Sequence, residues 1–479
     1  MTAIRFNSVA EIVVDSGIDL HLDLAPTGSR RSALGRALRG AIATGRLEPG
    51  TRLPSYRALA ADLGVARNTV AETYGELVSE GWLDARRGSG TRVAHRGAAS
   101  VRAASSTVRP ELRPEHDLRP GRPDQSAFPR AAWMAAARRA VSGAPVDAFG
   151  PGDPHGRLEL RRALAGYLSR TRGVRSDPRR ILVCSGFSQT AQILTSVVSG
   201  PFAVESYGLP FHRRLFDTSG PTVPIGVDEH GGRTHEPIEA AALVLTPSHQ
   251  FPTGVSLHPQ RRTAAVDWAR ATDGLVVEDD YDGEFRYDRT PVGAMQGLDP
   301  DRVLYAGSIS KSLSPGVRVG WMAVPEHLLD PILDAKGVRE ATVSALDQLT
   351  LADLITTGAY DRHVRAMRLK YRRRRDALVD ALRERVPEIG TMGIAAGLQA
   401  VLTLPPGSES DVLAGASEAG LAVEGLGWFR HPSAAEVESD VMPDGILVGF
   451  SAPSDRAFPR AVETLVSVLE LTTRGRRRG

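Results

Sequence analysis

The chain has 479 residues, 42% hydrophobic and 24% charged, a soluble globular composition spread over more chain than one core supports at roughly 100–200 residues per domain. Its formal net charge of +3 is too small to indicate a nucleic-acid partner by itself, and its single cysteine, Cys184, excludes an internal disulfide framework and a cysteine-rich zinc site. No apolar run of ~18 residues occurs, and the first residues include Arg5, Glu11 and Asp15, so the expectation is a soluble, cytoplasmic chain with no membrane partner.

In chain order, the first helical pattern runs over Arg30–Thr44, where Leu34, Leu38, Ala41 and Ile42 recur at helical spacing. Glu48-Pro49-Gly50 breaks it. Ser55 is placed to cap a second helix carrying Leu59 and Leu63, and Gly64 makes a tight turn. A third helix from about Ala66 to Glu80 buries Val70, Tyr74, Leu77 and Val78. Two short helices joined at Gly64 are a helix-turn-helix signal. Trp82-Leu83 and Thr91-Arg92-Val93 read as strands flanking Arg86-Arg87-Gly88-Ser89-Gly90, a hairpin tip of the kind called a wing.

Charge agrees with this reading. From Arg30 to Arg96 there are twelve arginines against six acids. Arg67, Asn68 and Thr69 open the third helix, the end that enters a major groove, where arginine and asparagine pair with base edges. Arg52, Ser55 and Arg57 near the second helix, and Arg86, Arg87 and Gly88 at the wing, are placed for backbone phosphates. The segment LEPGTRLPSYRALAADLGVARNTVAETYGELVSEGWLDARRGSGTRV resembles the winged helix-turn-helix domain of the GntR family of bacterial regulators. One departure is Ala66, where that family commonly carries a serine; its loss removes a helix cap worth ~1 kcal/mol.

Residues 1–95 are thus expected to form the DNA-binding domain. An Ala-, Ser-, Arg- and Pro-rich linker follows over 96–118, then an effector body over 119–472 and a basic tail over 473–479. The body alternates helical patterns with short apolar runs at Arg180–Cys184, Gly200–Val204, Ala242–Thr246, Gly274–Glu278 and Arg302–Ala306. This alternation predicts a mostly parallel sheet that gathers ligands at the strands' carboxyl ends. Ser185, Gly186 and Phe187 follow the first of these strands and open a helix, an arrangement suited to phosphate. Asp279 and Tyr281 follow the fourth.

Of 59 basic residues only Lys311, Lys336 and Lys370 are lysines. Lys311 lies in Ser308-Ile309-Ser310-Lys311, with Arg318 seven residues on. Hydroxyls and an arginine suit a phosphate, and a lysine amine can form a Schiff base. Together with the strand-end carboxylate and phenol, these are the parts needed to hold pyridoxal 5′-phosphate.

The stretches LRPGRPDQSAFPRAAW, GDPHGRLELRRALAGYLSRTRGV, TPSHQFPTGVSL, EDDYDGEFRY and SISKSLSPGVRVGW resemble fold-type I aminotransferases. The order of regulator domain, linker and body resembles the MocR/GabR family of transcriptional regulators. The resemblance implies an α/β fold: a winged helix-turn-helix domain plus a PLP-dependent transferase body of fold type I, with a large mostly parallel domain and a smaller C-terminal α+β domain. It implies that Lys311 takes the cofactor's aldehyde, Asp279 pairs with the ring nitrogen and Tyr281 with the 3′ oxygen. Ser185, Gly186, Phe187, Ser308, Ser310 and Arg318 would surround the phosphate. It also implies operator DNA as a partner and a homodimer, often head-to-tail.

The substrate side departs from the aminotransferases. Leu209 stands where related sequences often carry a ring-side tyrosine, with Tyr207 two residues before it. Phe251 replaces an asparagine, Pro151 replaces a partner-reaching tyrosine, and Leu447 replaces a carboxylate-gripping arginine, leaving Arg430 as a candidate for that task. Arg430 and Tyr207 are therefore the expected effector residues. The expected function is a PLP-dependent regulator that senses an amine, an amino acid or PLP itself. The alternative is a working aminotransferase with an accessory DNA-binding domain.

Overall fold

In the computed structural model, which describes residues 10–13, 19–22, 29–86, 90–95, 114–175, 177–287, 292–337, 343–437 and 442–476, the chain divides into two units, Met1–Glu111 and Leu112–Gly479. In the first, strands β1 (Ala10–Val13) and β2 (Asp19–Leu22) pair antiparallel. Helix α1 (Arg30–Ala43) starts at Ser29, whose hydroxyl accepts the Ser32 amide. Helix α2 (Tyr56–Asp62) starts at Ser55, whose hydroxyl accepts the Ala58 amide at 3.2 Å. Gly64 takes the turn at φ +60, a left-handed conformation that glycine adopts without strain. Helix α3 (Arg67–Ser79) begins at Ala66 with no side-chain cap. The expected apolar positions Leu34, Leu38, Leu59, Val70, Tyr74 and Leu77 share one core with Leu83 and Val93. These last two face each other across the wing strands β3 (Leu83–Arg86) and β4 (Gly90–Val93).

The second unit begins earlier than residue 119. Strand β5 (His116–Asp117) pairs with Leu421–Ala422, and Leu118 is fully buried in the C-terminal core. Residues 114–118 therefore belong to the body rather than to the linker, whose residues 96–113 lie outside the described residues. Helices α4 (Arg130–Gly143) and α5 (Leu158–Arg172) lead to β6 (Ile181–Cys184), α6 (Phe187–Val197), β7 (Phe202–Glu205), α7 (Pro210–Phe216) and β8 (Val223–Ile225). After the short pair β9 (Val227–Asp228) and β10 (Gly231–Gly232) come β11 (Ala242–Leu245), α8 (Pro259–Thr272), β12 (Leu275–Asp279), β13 (Val303–Ser308) and β14 (Gly320–Ala323).

Seven strands form one sheet in the order β6-β14-β13-β12-β11-β7-β8. All neighbours are parallel except β14, which runs antiparallel to both β13 and β6. All five expected strands are in this sheet. Ile181 and Val183 point into one core with Tyr305 and Trp321, while Leu182 and Cys184 point into another with Leu304 and Met322. Burial of both faces explains why these strands read as continuous apolar runs rather than alternating ones.

Helices α9 (Leu329–Lys336), α10 (Ala345–Thr356) and α11 (Ala359–Arg385) lead to the smaller domain. It consists of β15 (Gly390–Met392), β16 (Ala400–Thr403), α12 (Glu409–Glu418), β17 (Leu421–Ala422), β18 (Glu424–Gly425), β19 (Gly445–Val448) and α13 (Phe458–Arg476). Its four-stranded sheet is antiparallel in the order β15-β16-β19-β18. Because α13 runs to Arg476, residues 473–476 are helical rather than part of a tail. No helix among the described residues is long and apolar enough to cross a membrane.

Candidate functional site

Residues that follow strand ends in the large sheet converge on one cavity of about 310 Å³. Its lining contains Gly186 and Phe187 after β6, Glu205 at the end of β7, Asp279 and Tyr281 at and after β12, Ser308 at the end of β13, and Ser310, Lys311 and Arg318 between β13 and β14. This follows from parallel topology, since the parallel strands deliver their trailing loops to the same edge of the sheet. Of the expected cofactor residues only Ser185 does not line the cavity; its amide donates to Gln189 Oε1 at 2.7 Å, which holds the loop in front of α6.

Lys311 Nζ donates to the carbonyl of Gly121 at 2.5 Å. Burial pulls its ammonium below the ordinary lysine range, opposed by Asp279 and Asp282, so more of the amine is neutral and nucleophilic than in a free lysine. Asp279 is only 8% exposed. Burial and the neighbouring Asp280 push its carboxyl well above the usual range. Its carboxylate has no hydrogen-bond or ion-pair partner among the described residues. A buried carboxyl of this kind is held neutral until a positive N–H donor faces it and stabilises the carboxylate, so this part of the cavity suits a ligand bearing an N–H.

Tyr281 Oη accepts from Gln399 Nε2 at 3.1 Å and lies 2.9 Å from His249 Nδ1, which in turn lies 2.8 Å from Asp282 Oδ2. Burial, then Asp282, raises the phenol's pKa, so it stays protonated. The acidic run around it is not a solvated loop. Glu278 accepts the amides of Met295 and Gln296, and Asp280 takes two hydrogen bonds from the buried Arg172, at 2.7 and 2.9 Å.

The N-terminus of α6, Gly186 and Phe187, lines the same cavity as Ser308, Ser310 and Arg318. Unpaired amides and the helix dipole there suit an anion. Gly320 is required for this approach, because a Cβ on it would lie 2.8 Å from the Gly186 Cα. Arg318 has φ +57, a left-handed conformation costing of order 1–3 kcal/mol for a non-glycine residue. It is exposed at the cavity's rim.

The expected effector residues meet each other through their backbones. Tyr207 and Arg430 form an isolated antiparallel bridge, flanked by Gly208 N donating to Phe429 O at 3.0 Å and His431 N donating to Ser206 O at 2.7 Å. Tyr207 lines the cavity, whereas Arg430 is absent from its lining. The spacing of motifs missed three titratable lining residues. Glu205 accepts Thr246 Oγ1 at 2.6 Å, and burial lifts its carboxyl to about 7. His212 packs on Phe187 with ring centroids 4.9 Å apart, and burial, then Lys311, lowers it to about 4. Arg213 is the third. Glu205 and Arg213 had no signal that set them apart from other acids and arginines, and His212 belongs to no motif.

In the first unit Arg67 and Asn68 are exposed on the first turn of α3, with Thr69 half-buried beside them. The acids of α3 and its C-cap are engaged with α1: Glu72 and Glu76 pair with Arg31, and Glu80 with Arg39. Arg52, Ser55, Arg57 and Arg86 are exposed, and Arg52 bridges to Arg92 beside the wing. Ser55 is also the α2 cap. Arg87 and Gly88 lie outside the described residues.

Comparison with known proteins bears on both units. Residues 30–93 match the family described as "Bacterial regulatory proteins, gntR family", and residues 120–414 match "Aminotransferase class I and II". The chain is 34% identical over 422 residues to the "HTH-type pyridoxine biosynthesis transcriptional regulator PdxR" of Corynebacterium glutamicum, covering 87% of this chain and 90% of that one. It is 31% identical over 457 residues to the "Probable rhizopine catabolism regulatory protein MocR" of Rhizobium meliloti, covering 90% and 92%. Among solved structures, the multiple substrate aminotransferase of Thermococcus profundus superposes with a TM-score of 0.66 at 23% identity, covering 79% of this chain and 96% of that one. That likeness shows the fold.

Proposed function

This chain belongs to the MocR/GabR-type transcriptional regulators, a GntR winged-helix domain fused to an aminotransferase-like body, and from that premise we propose that the body holds pyridoxal 5′-phosphate on Lys311 and reports a small ligand to operator DNA. The observation that carries the reading is the cavity itself. A nucleophilic lysine, a partnerless buried carboxylate, a protonated phenol and a helix N-terminus with two serines and an arginine all line it.

In this reading Asp279 accepts from the ring N–H, Tyr281 donates to the ring 3′ oxygen, and the α6 amides, Ser308, Ser310 and Arg318 take the phosphate, with Ser185 holding their loop. When bound, the cofactor supplies an aldehyde that exchanges amines. The signal is an amine, an amino acid or pyridoxal 5′-phosphate itself. The last is supported by the relative described as a regulator of pyridoxine biosynthesis. Arg67, Asn68 and Thr69 read base edges, Arg52, Arg57 and the wing hold phosphates, and a homodimer presents two such faces to two half-sites. For the ligand to act, it must bind two arrangements of the dimer with different affinity.

The test follows cofactor absorbance and operator binding in one titration of the full chain with candidate amines, amino acids and pyridoxal 5′-phosphate. A shift in operator affinity without sustained turnover supports the regulator. Sustained transamination of order 1–1000 per second, with no change in operator binding, would overturn it.

A further inference from the structure

Three cations line the cavity: Lys311, Arg318 and Arg213. The first two have tasks in the reading above. Arg213, on α7, is half-buried, and its one side-chain hydrogen bond among the described residues goes to the Arg430 carbonyl at a long 3.4 Å. It forms no ion pair among the described residues. Asp217, one turn further along, instead accepts the amide and hydroxyl of Thr222 at 3.0 and 2.8 Å. Burial lowers the guanidinium's pKa, opposed by the charge of Asp217 and reinforced by Arg214, so the attraction of Asp217, which forms no salt bridge with it among the described residues, does not offset the withdrawal from water. A guanidinium carries five N–H donors in a fork that matches a carboxylate, and most of this fork is unmatched.

The small domain supplies no competing cation at the position the aminotransferases use. Leu447, on β19, is fully buried in an apolar cluster with Tyr207, Phe251 and Phe429, and the side chain of Arg430 does not line the cavity. The structure assigns to Arg213 the role of specificity-determining residue: it pairs with a carboxylate on a ligand whose amine is presented to Lys311, so the cavity selects amino acids over simple amines. This rests on the reading of Lys311 as the cofactor lysine. Anion recognition has thus moved from the small domain to α7 of the large one. It is also wired to the strap at 429–431, because the strap carbonyl Arg430 O is the acceptor that a ligand carboxylate displaces.

The test uses the full chain loaded with pyridoxal 5′-phosphate and two matched probe pairs, β-alanine with propylamine and 5-aminopentanoate with pentylamine, followed by cofactor absorbance. A charge-assisted pair predicts half-saturation at about ten-fold or more lower concentration for the acid of at least one pair. In Arg213→Met the preference falls to within about three-fold, and in Arg213→Lys, which keeps the charge, it keeps its sign. Absence of a preference in the parent chain, or its persistence in both Arg213→Met and Arg213→Gln, overturns the assignment. Borohydride reduction of the same samples separates the two levels. A labelled Lys311 with an unaltered preference sinks Arg213 alone, whereas no label on the parent chain sinks the cofactor reading beneath it.

Discussion

Lys311 Nζ and Gly121 O meet at 2.5 Å across 190 positions of chain, so the first loop of the body closes over the lysine loop. Gly121 has φ +72, and a Cβ there would lie 3.0 Å from Nζ. The contact gives the lysine a fixed orientation while burial keeps more of its amine neutral.

A chemical prediction follows. Incubation with pyridoxal 5′-phosphate and borohydride should label Lys311 and leave Lys336 and Lys370 unlabelled. Lys336 is buried against the Pro154 carbonyl and Lys370 pairs with Asp124 and Asp455. The pH midpoint for amine capture should lie below ~10.4, the value of a free lysine, because the folded site disfavours the ammonium. Lys311→Ala should lose the label and retain operator binding, with peptide mapping and gel shift as the readouts.

Arg172 and Asp280 form a buried ion pair under the site, with Ser248 and Tyr305 hydroxyls completing it at 2.7 Å each. Arg172→Met leaves an uncompensated carboxylate and should destabilise the body by about 3–5 kcal/mol in urea unfolding. The double change with Asp280→Asn should recover part of that loss. A single-variant loss under about 1 kcal/mol would contradict the pair's isolation from water.

Glu205 titrates at about 7 because it is buried, above the ~4.3 of an exposed glutamate. Its folded pKa is raised, so its contribution is present at acidic pH and is lost as pH rises from about 4.3 to about 7. Glu205→Gln removes that ionisation and keeps an oxygen acceptor for Thr246. Relative to the parent chain, the variant should gain about 2 kcal/mol between pH 5 and pH 7. A pH-independent difference in urea midpoints would refute the assignment.

At the other unit, Ala66 starts α3 in an extended conformation at φ −65, ψ 139 with no cap. Ala66→Ser should raise the melting temperature of the winged-helix unit through ~1 kcal/mol of added stability. Arg67→Ala, one residue on, removes an exposed side chain. It should change stability by no more than ~0.5 kcal/mol while relaxing operator selectivity in competition binding.

Much of the site was legible because its parts are local in sequence. A strand end brings its own trailing loop, so Asp279, Tyr281, Ser308, Ser310 and Lys311 could be placed at one sheet edge from runs of apolar residues alone, and all of them line the cavity. The helix-turn-helix was legible for the same reason: caps and periodicity within fifty residues define it. The antiparallel β14 was not foreseen, since Gly320–Ala323 follows the lysine loop without a crossover helix to mark it.

By itself the sequence determined the two units, their order, the parallel sheet and the lysine at its edge, because each depends on neighbours in the chain. Only the tertiary structure decided which arginine enters the cavity. Arg430 and Arg213 are equivalent as letters, yet Arg430 joins the strap to Tyr207 through its backbone while Arg213 brings its side chain to the cavity from α7. It likewise decided that Glu205 is buried against Thr246 and that His249 links Tyr281 to Asp282. These contacts span more than thirty residues, and no local pattern encodes them. Chain topology sets which distant groups share a low-dielectric space, and that sharing determines their charge state.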